Sequence, residues 1–113
     1  MSFQNQFTKT TTDANLMETV HHGSAEYPFR YYYENIALFD FKCIDWHWHS
    51  ELEFIYIKSG NVVFDIGTVH FELNEGNGIM INSKILHRLQ SSSDAIIPNF
   101  LFQPSFIAPQ DSL

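Results

Sequence analysis

The sequence predicts an all-β domain, a small sandwich or barrel. Short runs rich in β-branched and aromatic residues recur along the chain, and turn signals separate them about every ten residues. The pattern indicates no helix longer than about two turns. The length of 113 residues fits one domain.

The first strand is expected to start at Tyr27-Pro28-Phe29, at a sheet edge, because proline cannot donate a hydrogen bond within a ladder. Residues 31–33 continue it, and residues 36–45 are predicted to form a second strand-rich run. Residues 51–58 contain the continuous apolar run 54–57, which is typical of a strand buried on both faces.

Residues 62–66 and 69–73 flank Gly67-Thr68, a two-residue turn that predicts a β-hairpin. His70 falls on the polar face of this hairpin and is expected to be solvated. Three further strands are predicted at 79–81, 86–90 and 95–102, the last of them interrupted by Pro98.

Residues 1–24 are expected to form a flexible N-terminal arm and residues 25–113 the barrel. The arm begins with a polar, Thr-rich stretch in which Phe3 and Phe7 are isolated apolar points. The alternative is an arm that folds over a pocket and places those two rings on it. His21 and His22 are adjacent, so their side chains diverge, which argues against a metal site there.

Charge and composition exclude several classes of function. Thirteen acidic residues against six Lys and Arg give a net charge of −7, and no basic cluster could contact phosphates. A basic start followed by an apolar block is absent, as is an apolar stretch of the roughly 20 residues that a membrane span needs. We therefore expect a cytoplasmic protein without membrane contact. The single cysteine, Cys43, permits no internal disulfide.

The most informative stretch is WHWHSELEFIYIKSG, residues 46–60. In an extended segment, residues two apart share a face, so His47 and His49 can direct both imidazoles at one point. Glu53 has the same parity and completes the outline of a metal site. Glu51 shares that parity and is the alternative, but Glu53 lies deeper in the apolar strand, where an unpaired charge would be costly.

The pattern H-x-H-x3-E-x6-G, followed by a second block EGNGIMINSKILHRLQ, resembles the two motifs of the cupin superfamily. The matching residues are His47, His49, Glu53 and Gly60 in the first motif, and Gly76 and His87 in the second. The resemblance implies a cupin-type double-stranded β-helix, that is, a small β-barrel or jelly roll. It also adds His87 as the fourth metal ligand.

The turn positions of these motifs depart from the family pattern. Phe41 stands where the first motif usually opens with Gly, and Asn82 and Lys84 replace the Pro and Gly of the second. Ser91 stands where the second motif ends in Asn. The ligand positions therefore match better than the turns.

Four segments are similar to the N-terminal, effector-sensing domain of AraC-type bacterial transcription regulators: HHGSAEYPFRYYY, HWHSELEFIYIKSG, GNGIMINSKILH and NFLFQPSF. The similarity extends from about residue 18 to near the end. It implies a small-molecule effector, such as a sugar or a small acid, bound in the barrel. DNA would be contacted only through a C-terminal domain, which these residues do not supply.

In that family, dimerising helices follow the barrel. The chain is therefore expected to be either an expressed sensor fragment or a gene product without its DNA-reading half. If these residues form a homodimer, they are expected to do so through the barrel or the arm.

A shell of three imidazoles and one carboxylate suits Zn, Ni, Fe, Mn or Cu, and intrinsic affinities do not choose among them. The alternative is that these histidines only form hydrogen bonds inside the barrel. Trp46, Trp48, Tyr56 and Lys84 are expected to line the ligand pocket.

Three functions fit these observations. The favoured one is a sensor domain. The second is a metal-dependent cupin enzyme, a dioxygenase or sugar isomerase, although no separate general acid or base stands out beyond Lys84 and Tyr56. The third is a structural barrel in which the metal only holds strands together.

Overall fold

The computed structural model describes residues 8–24 and 27–107. The chain is mostly β, as predicted. Within the described residues, eight strands are accompanied by two short 3-10 helices, Ile36–Leu38 and Asp40–Lys42, and one helical turn, Pro104–Ile107. The strands are β1 Phe29–Asn35, β2 Cys43–His47, β3 Leu52–Tyr56, β4 Asn61–Ile66, β5 Val69–Asn74, β6 Gly78–Ile81, β7 His87–Gln90 and β8 Ile96–Phe102.

The strands form two four-stranded sheets, with the orders β1-β8-β3-β6 and β2-β7-β4-β5. All described strand pairs are antiparallel. Apart from the β4–β5 hairpin, each strand is followed by one in the opposite sheet. The chain thereby winds around one interior, as the jelly-roll prediction requires.

The core lies between the two sheets and follows from the two-residue alternation of the strands. In β4, for example, Val62 and Phe64 are fully buried, while Asn61 and Val63, which alternate with them, are only partly buried. Burial of such a side chain stabilises the fold by roughly 1.5 to 3 kcal/mol. The buried cluster consists of Ile36, Ile55, Ile57, Val62, Phe64, Ile81, Leu89, Ala95 and Ile97.

The hairpin is confirmed, and its turn residue Gly67 has φ 59°. The side chain of His70 is 69% exposed, as expected. The predicted interruption at Pro98 is wrong, because β8 runs through it with Pro98 opposite Tyr33 of β1. The proline is tolerated because the pairing of β3 with β8 extends only to Ile55 and Asn99, one residue C-terminal to Pro98, so Pro98 itself has no partner in β3.

The strand predicted over residues 36–45 forms only from Cys43 onward. Two 3-10 turns come first, and the side chain of Asn35 caps the first of them by accepting a hydrogen bond from the backbone N–H of Ala37 at 3.0 Å. Such local side-chain bonds compete with strand formation. Phe41, with φ 59°, turns the chain a second time.

The described part of the N-terminal arm lies against the barrel. The backbone N–H of Glu18 donates to the carbonyl of Trp48 at 2.8 Å, and that of Trp48 donates to Leu16 at 3.0 Å. Backbone hydrogen bonds thus hold residues 8–24 against the barrel. The alternative stated above was an arm that folds over a pocket. Phe3 and Phe7 lie outside the described residues. In the described ranges, no helix has the length and apolar character to cross a membrane.

Candidate metal centre

The four residues expected to bind a metal converge in the interior. One potential ligand atom from each of His47, His49, Glu53 and His87 lies within 4.8 Å of the others. All four side chains are buried, and His87 is completely so. The separated motifs therefore meet in one cluster.

Each ligand is placed by a different part of the two sheets. His47 ends β2 and lies opposite His87, the first residue of β7, in the same sheet. Their ring centroids are 4.2 Å apart. Glu53 projects inward from β3 of the other sheet, and His49 lies on the connection between β2 and β3. The cluster therefore takes its members from both sheets.

The three imidazoles are oriented by the same kind of hydrogen bond. The Nδ1 atoms of His47, His49 and His87 lie 2.7 to 3.0 Å from the backbone carbonyls of Asp45, Glu51 and Ile85. A carbonyl can only accept, so each Nδ1 carries a proton and donates it. The Nε2 atoms are left to face the cluster, which is the arrangement of metal-ligating histidines with their outer nitrogen fixed.

The charges in the cluster are strongly coupled. Burial would raise the pKa of Glu53, but hydrogen bonds and charge from His49 and His87 hold it well below its usual range. Burial would lower the pKa of His49, but Glu53 raises it to about 9. Burial and the neighbouring His87 lower the pKa of His47 to about 4. A divalent cation bound between the Glu53 carboxylate and the imidazoles would take the place of the proton on the facing imidazole nitrogen.

The alternative carboxylate, Glu51, lies behind the cluster. One of its oxygens accepts a hydrogen bond from the backbone N–H of His22 at 3.4 Å. The other lies 3.8 Å from Nδ1 of His49, on the side of the ring that faces away from Glu53. The geometry therefore favours Glu53 as the ligand.

A cavity adjoins the cluster and encloses about 40 Å³. A single water needs roughly 10 to 15 Å³, so the cavity has room for a small ligand. His47, His49 and Glu53 form part of its wall. The remaining lining residues are Lys9, Thr10, Thr11, Glu18, Val20, His22, Tyr32, Glu34, Phe39, Ile44, Leu89, Ile97, Asn99 and Leu101.

Comparison with protein families matches residues 32–108 to the AraC-like ligand binding domain. The chain belongs to this family. A protein of Bacillus subtilis (strain 168), described as an uncharacterized HTH-type transcriptional regulator, YdeC, is 33% identical over 101 residues. The match covers 88% of this chain and 35% of that protein, so the chain spans about a third of the relative's length.

Solved structures share the cupin fold of this AraC-like domain. A cupin-2 domain protein from Shewanella frigidimarina has a TM-score of 0.57 at 14% identity, over 65% of this chain and 69% of that one. A predicted oxalate decarboxylase from Thermotoga maritima has a TM-score of 0.51 at 20% identity, over 54% of this chain and 56% of that one. At these identities the likeness shows the fold alone.

The four residues expected to line the pocket of the AraC-like domain lie outside the described lining of the cavity. Trp46 packs against the guanidinium of Arg88, 4.9 Å from the ring centroid, and Trp48 donates its indole N–H to the carbonyl of Asn15 at 3.0 Å. Tyr56 is 40% exposed, and Lys84 is exposed. Trp46, Trp48 and Tyr56 have the opposite parity to the inward residues of their segments, so strand alternation turns them away from the interior.

Sequence reasoning missed a second group of polar residues in the cavity. His22 is buried, and its Nε2 pairs with Glu18 while its Nδ1 lies 2.7 Å from the hydroxyl of Tyr32. Glu34 and Asn99 form a further buried pair. The only signal in the sequence was that Asn99 interrupts the inward apolar positions 97 and 101 of a strand.

Proposed function

We propose that this AraC-like domain is the effector sensor of a transcription regulator, with a divalent transition metal at one end of the effector cavity. The convergence of His47, His49, Glu53 and His87 beside a partly enclosed cavity is the observation that carries the proposal. The family, and a relative described as an HTH-type regulator, support it.

The residues of the cluster would hold Zn, Ni, Fe or Mn through three imidazole nitrogens and one carboxylate oxygen. The metal would supply a positive charge that attracts an oxygen or nitrogen atom of the effector. The histidine backbone contacts described above keep Nε2 available for the ion.

The wider setting is part of the same proposal. DNA contact would be made by another domain, since the net charge of −7 disfavours phosphate binding by these residues. The regulator would act in the cytoplasm, and homodimerisation through the barrel or arm would bring two sensors together.

A metal-dependent cupin enzyme is the second candidate function. One observation favours it: Glu18, His22 and Tyr32 form a hydrogen-bonded chain in the cavity wall, next to the cluster. Such a chain could transfer a proton to a bound substrate. Oxalate decarboxylases among the structural neighbours share the fold only.

Metal content tests the site directly. Untagged protein should contain about one transition metal ion per chain by element analysis. His49→Ala and His87→Ala should each lose it, because each removes a buried nitrogen ligand. His70→Ala is the matched control, since His70 is exposed and should leave the metal content unchanged. Full retention of metal by both buried variants would contradict the site.

Sensing is tested by a thermal-shift screen of small polar compounds on metal-loaded protein. A compound that raises the melting temperature should also change DNA binding by the longer regulator that contains this domain. Stabilisation without any change in DNA binding would contradict the sensor. Consumption of the compound under air would favour the enzyme instead.

A further inference from the structure

Two polar side chains form a pair in the cavity wall, separate from the metal cluster. Glu34 projects inward from β1 and Asn99 from β8, which pair in one sheet. Glu34 is 7% exposed and Asn99 is 2% exposed. The side-chain nitrogen of Asn99 donates to one carboxyl oxygen of Glu34 at 2.8 Å. The pair is therefore nine-tenths buried and lines the cavity.

When Glu34 is ionised, this pair offers the cavity acceptors without donors. The Asn99 side-chain nitrogen also donates to the carbonyl of Ile97 at 2.9 Å, so both of its protons are used. The amide oxygen of Asn99 and the second carboxyl oxygen of Glu34 have no hydrogen-bond partner within ranges 8–24 and 27–107. Within the described residues no fully buried side-chain oxygen lacks a hydrogen-bond partner, so these two oxygens retain access to the cavity, where a ligand that donates would replace water.

Glu34 also differs from the other carboxyl groups of the cavity in its charge environment. Glu53 faces His49 and His87, and Glu18 faces His22. Glu34 faces only the neutral amide of Asn99. Burial raises the pKa of Glu34 to about 8, and the negative charges of Glu53 and Glu18 add to the rise.

We propose that Glu34 and Asn99 form a subsite for the ammonium group of a small primary amine. An ammonium group has three donors and no acceptor, which matches the two bare oxygens of the pair. Its charge would compensate the buried carboxylate through a charge-assisted hydrogen bond. This subsite defines the chemical class of ligand that the cavity binds. It rests on the proposed sensor function only in the claim that this ligand is the effector.

Size and charge narrow the ligand class further. The volume of about 40 Å³ suits a small molecule such as a short amino alcohol. A neutral diol could donate to one of the two oxygens but would bring no positive charge to favour the ionised form of Glu34. A hydroxy acid would bring a second negative charge toward Glu34 and is disfavoured.

Three compounds of equal chain length separate these cases: ethanolamine, ethylene glycol and glycolate. Calorimetric titration of the whole chain at pH 7.5 should give ethanolamine an affinity at least tenfold above the other two. Glu34→Gln keeps the shape but cannot ionise when an ammonium group binds, and it should abolish the preference. Glu75→Gln removes an exposed carboxylate from a turn and should leave the preference unchanged.

Equal or tighter binding of ethylene glycol or glycolate would overturn the subsite, as would the absence of ethanolamine binding. Retention of the preference by Glu34→Gln would also overturn it. The comparison of compounds on the unmutated chain stands even if that variant fails to fold. Metal content is measured on the same samples, so failure of the metal site or of DNA regulation is distinguishable from loss of amine selectivity.

Discussion

The Nε2 atom of His49 lies 3.1 Å from Oε1 of Glu53, and this contact joins the β2–β3 connection to strand β3. The same carboxyl oxygen is 3.3 Å from Nε2 of His87. Both rings are held from behind by backbone carbonyls. Glu53 is therefore the charged centre of the cluster rather than the group that orients the histidines.

Glu53→Gln should lower metal affinity by about 10- to 100-fold while keeping the fold, because an amide replaces the only carboxylate among the four ligands. Glu51→Gln should change the affinity less than about threefold, since Glu51 lies behind His49. Titration of metal-free protein with Zn²⁺ measures both. Equal losses in the two variants would show that the ligand has been misassigned.

Removal of the metal should lower the melting temperature. An ion present at about 100 times its dissociation constant stabilises the native state by about 2.7 kcal/mol. For a domain of this size we expect a loss of about 10 °C when EDTA is added. Mg²⁺, which prefers oxygen ligands, should not restore the temperature, whereas Zn²⁺ should. An unchanged melting temperature after complete metal removal would count against the site.

Stability should fall with rising pH through the titration of Glu34. Burial raises the pKa of Glu34 from its ordinary value of 4.5 to about 8. Between these values the native state keeps a proton that the unfolded state releases, so each unit of pH costs at most about 1.4 kcal/mol. The effect is absent below about 4.5 and complete above about 8.

Glu34→Gln should flatten this dependence, because glutamine does not titrate. Urea unfolding of both proteins at pH 5, 6, 7 and 8 measures the difference in slope, and groups that titrate in both proteins cancel. Parallel curves for the two proteins would refute the assignment to Glu34.

Two glycines in left-handed backbone should respond differently to alanine. A Cβ on Gly60 (φ 81°) would lie 2.5 Å from the carbonyl oxygen of Asp94, whereas a Cβ on Gly67 (φ 59°) would meet nothing within 4 Å. Gly67→Ala should lower the free energy of unfolding by about 1 kcal/mol from backbone strain alone. Gly60→Ala should lower it by about 2 to 4 kcal/mol, since overpacking is added. Denaturant melts measure both, and equal losses would exclude the steric contribution.

The convergence of the candidate ligands follows largely from local sequence information. His47, His49 and Glu53 share one parity within seven residues, and the resemblance of the second motif to cupins supplied His87. The expected pocket residues were placed by sequence proximity to these ligands. Neighbouring residues in a strand point to opposite faces, so Trp46 lies outside the described lining although it is next to His47 in the sequence.

The turns show a different limit of sequence reasoning. Phe41 and Lys84 replace the glycines of the family motifs, yet they have φ of 59° and 64°. The backbone thus keeps the left-handed geometry that the missing glycines would favour, at some cost in strain. Phe41 is 99% exposed, so its side chain meets no obstacle to that conformation.

The Glu34–Asn99 pair could not be predicted from local pattern. The two residues are 65 positions apart, and only the pairing of β1 with β8 brings them together. The contact of His22 with Tyr32 likewise requires the arm to return to the barrel. Both depend on long-range topology, which the alternation of a single strand does not contain.

The metal cluster draws on both sheets, with His47 and His87 from one and Glu53 from the other. A bound ion would link the two sheets and fix the distance between them at one end of the barrel. A ligand that displaces the ion slightly would then shift one sheet relative to the other. Ligand binding in the interior would in this way change the outer surface of the domain.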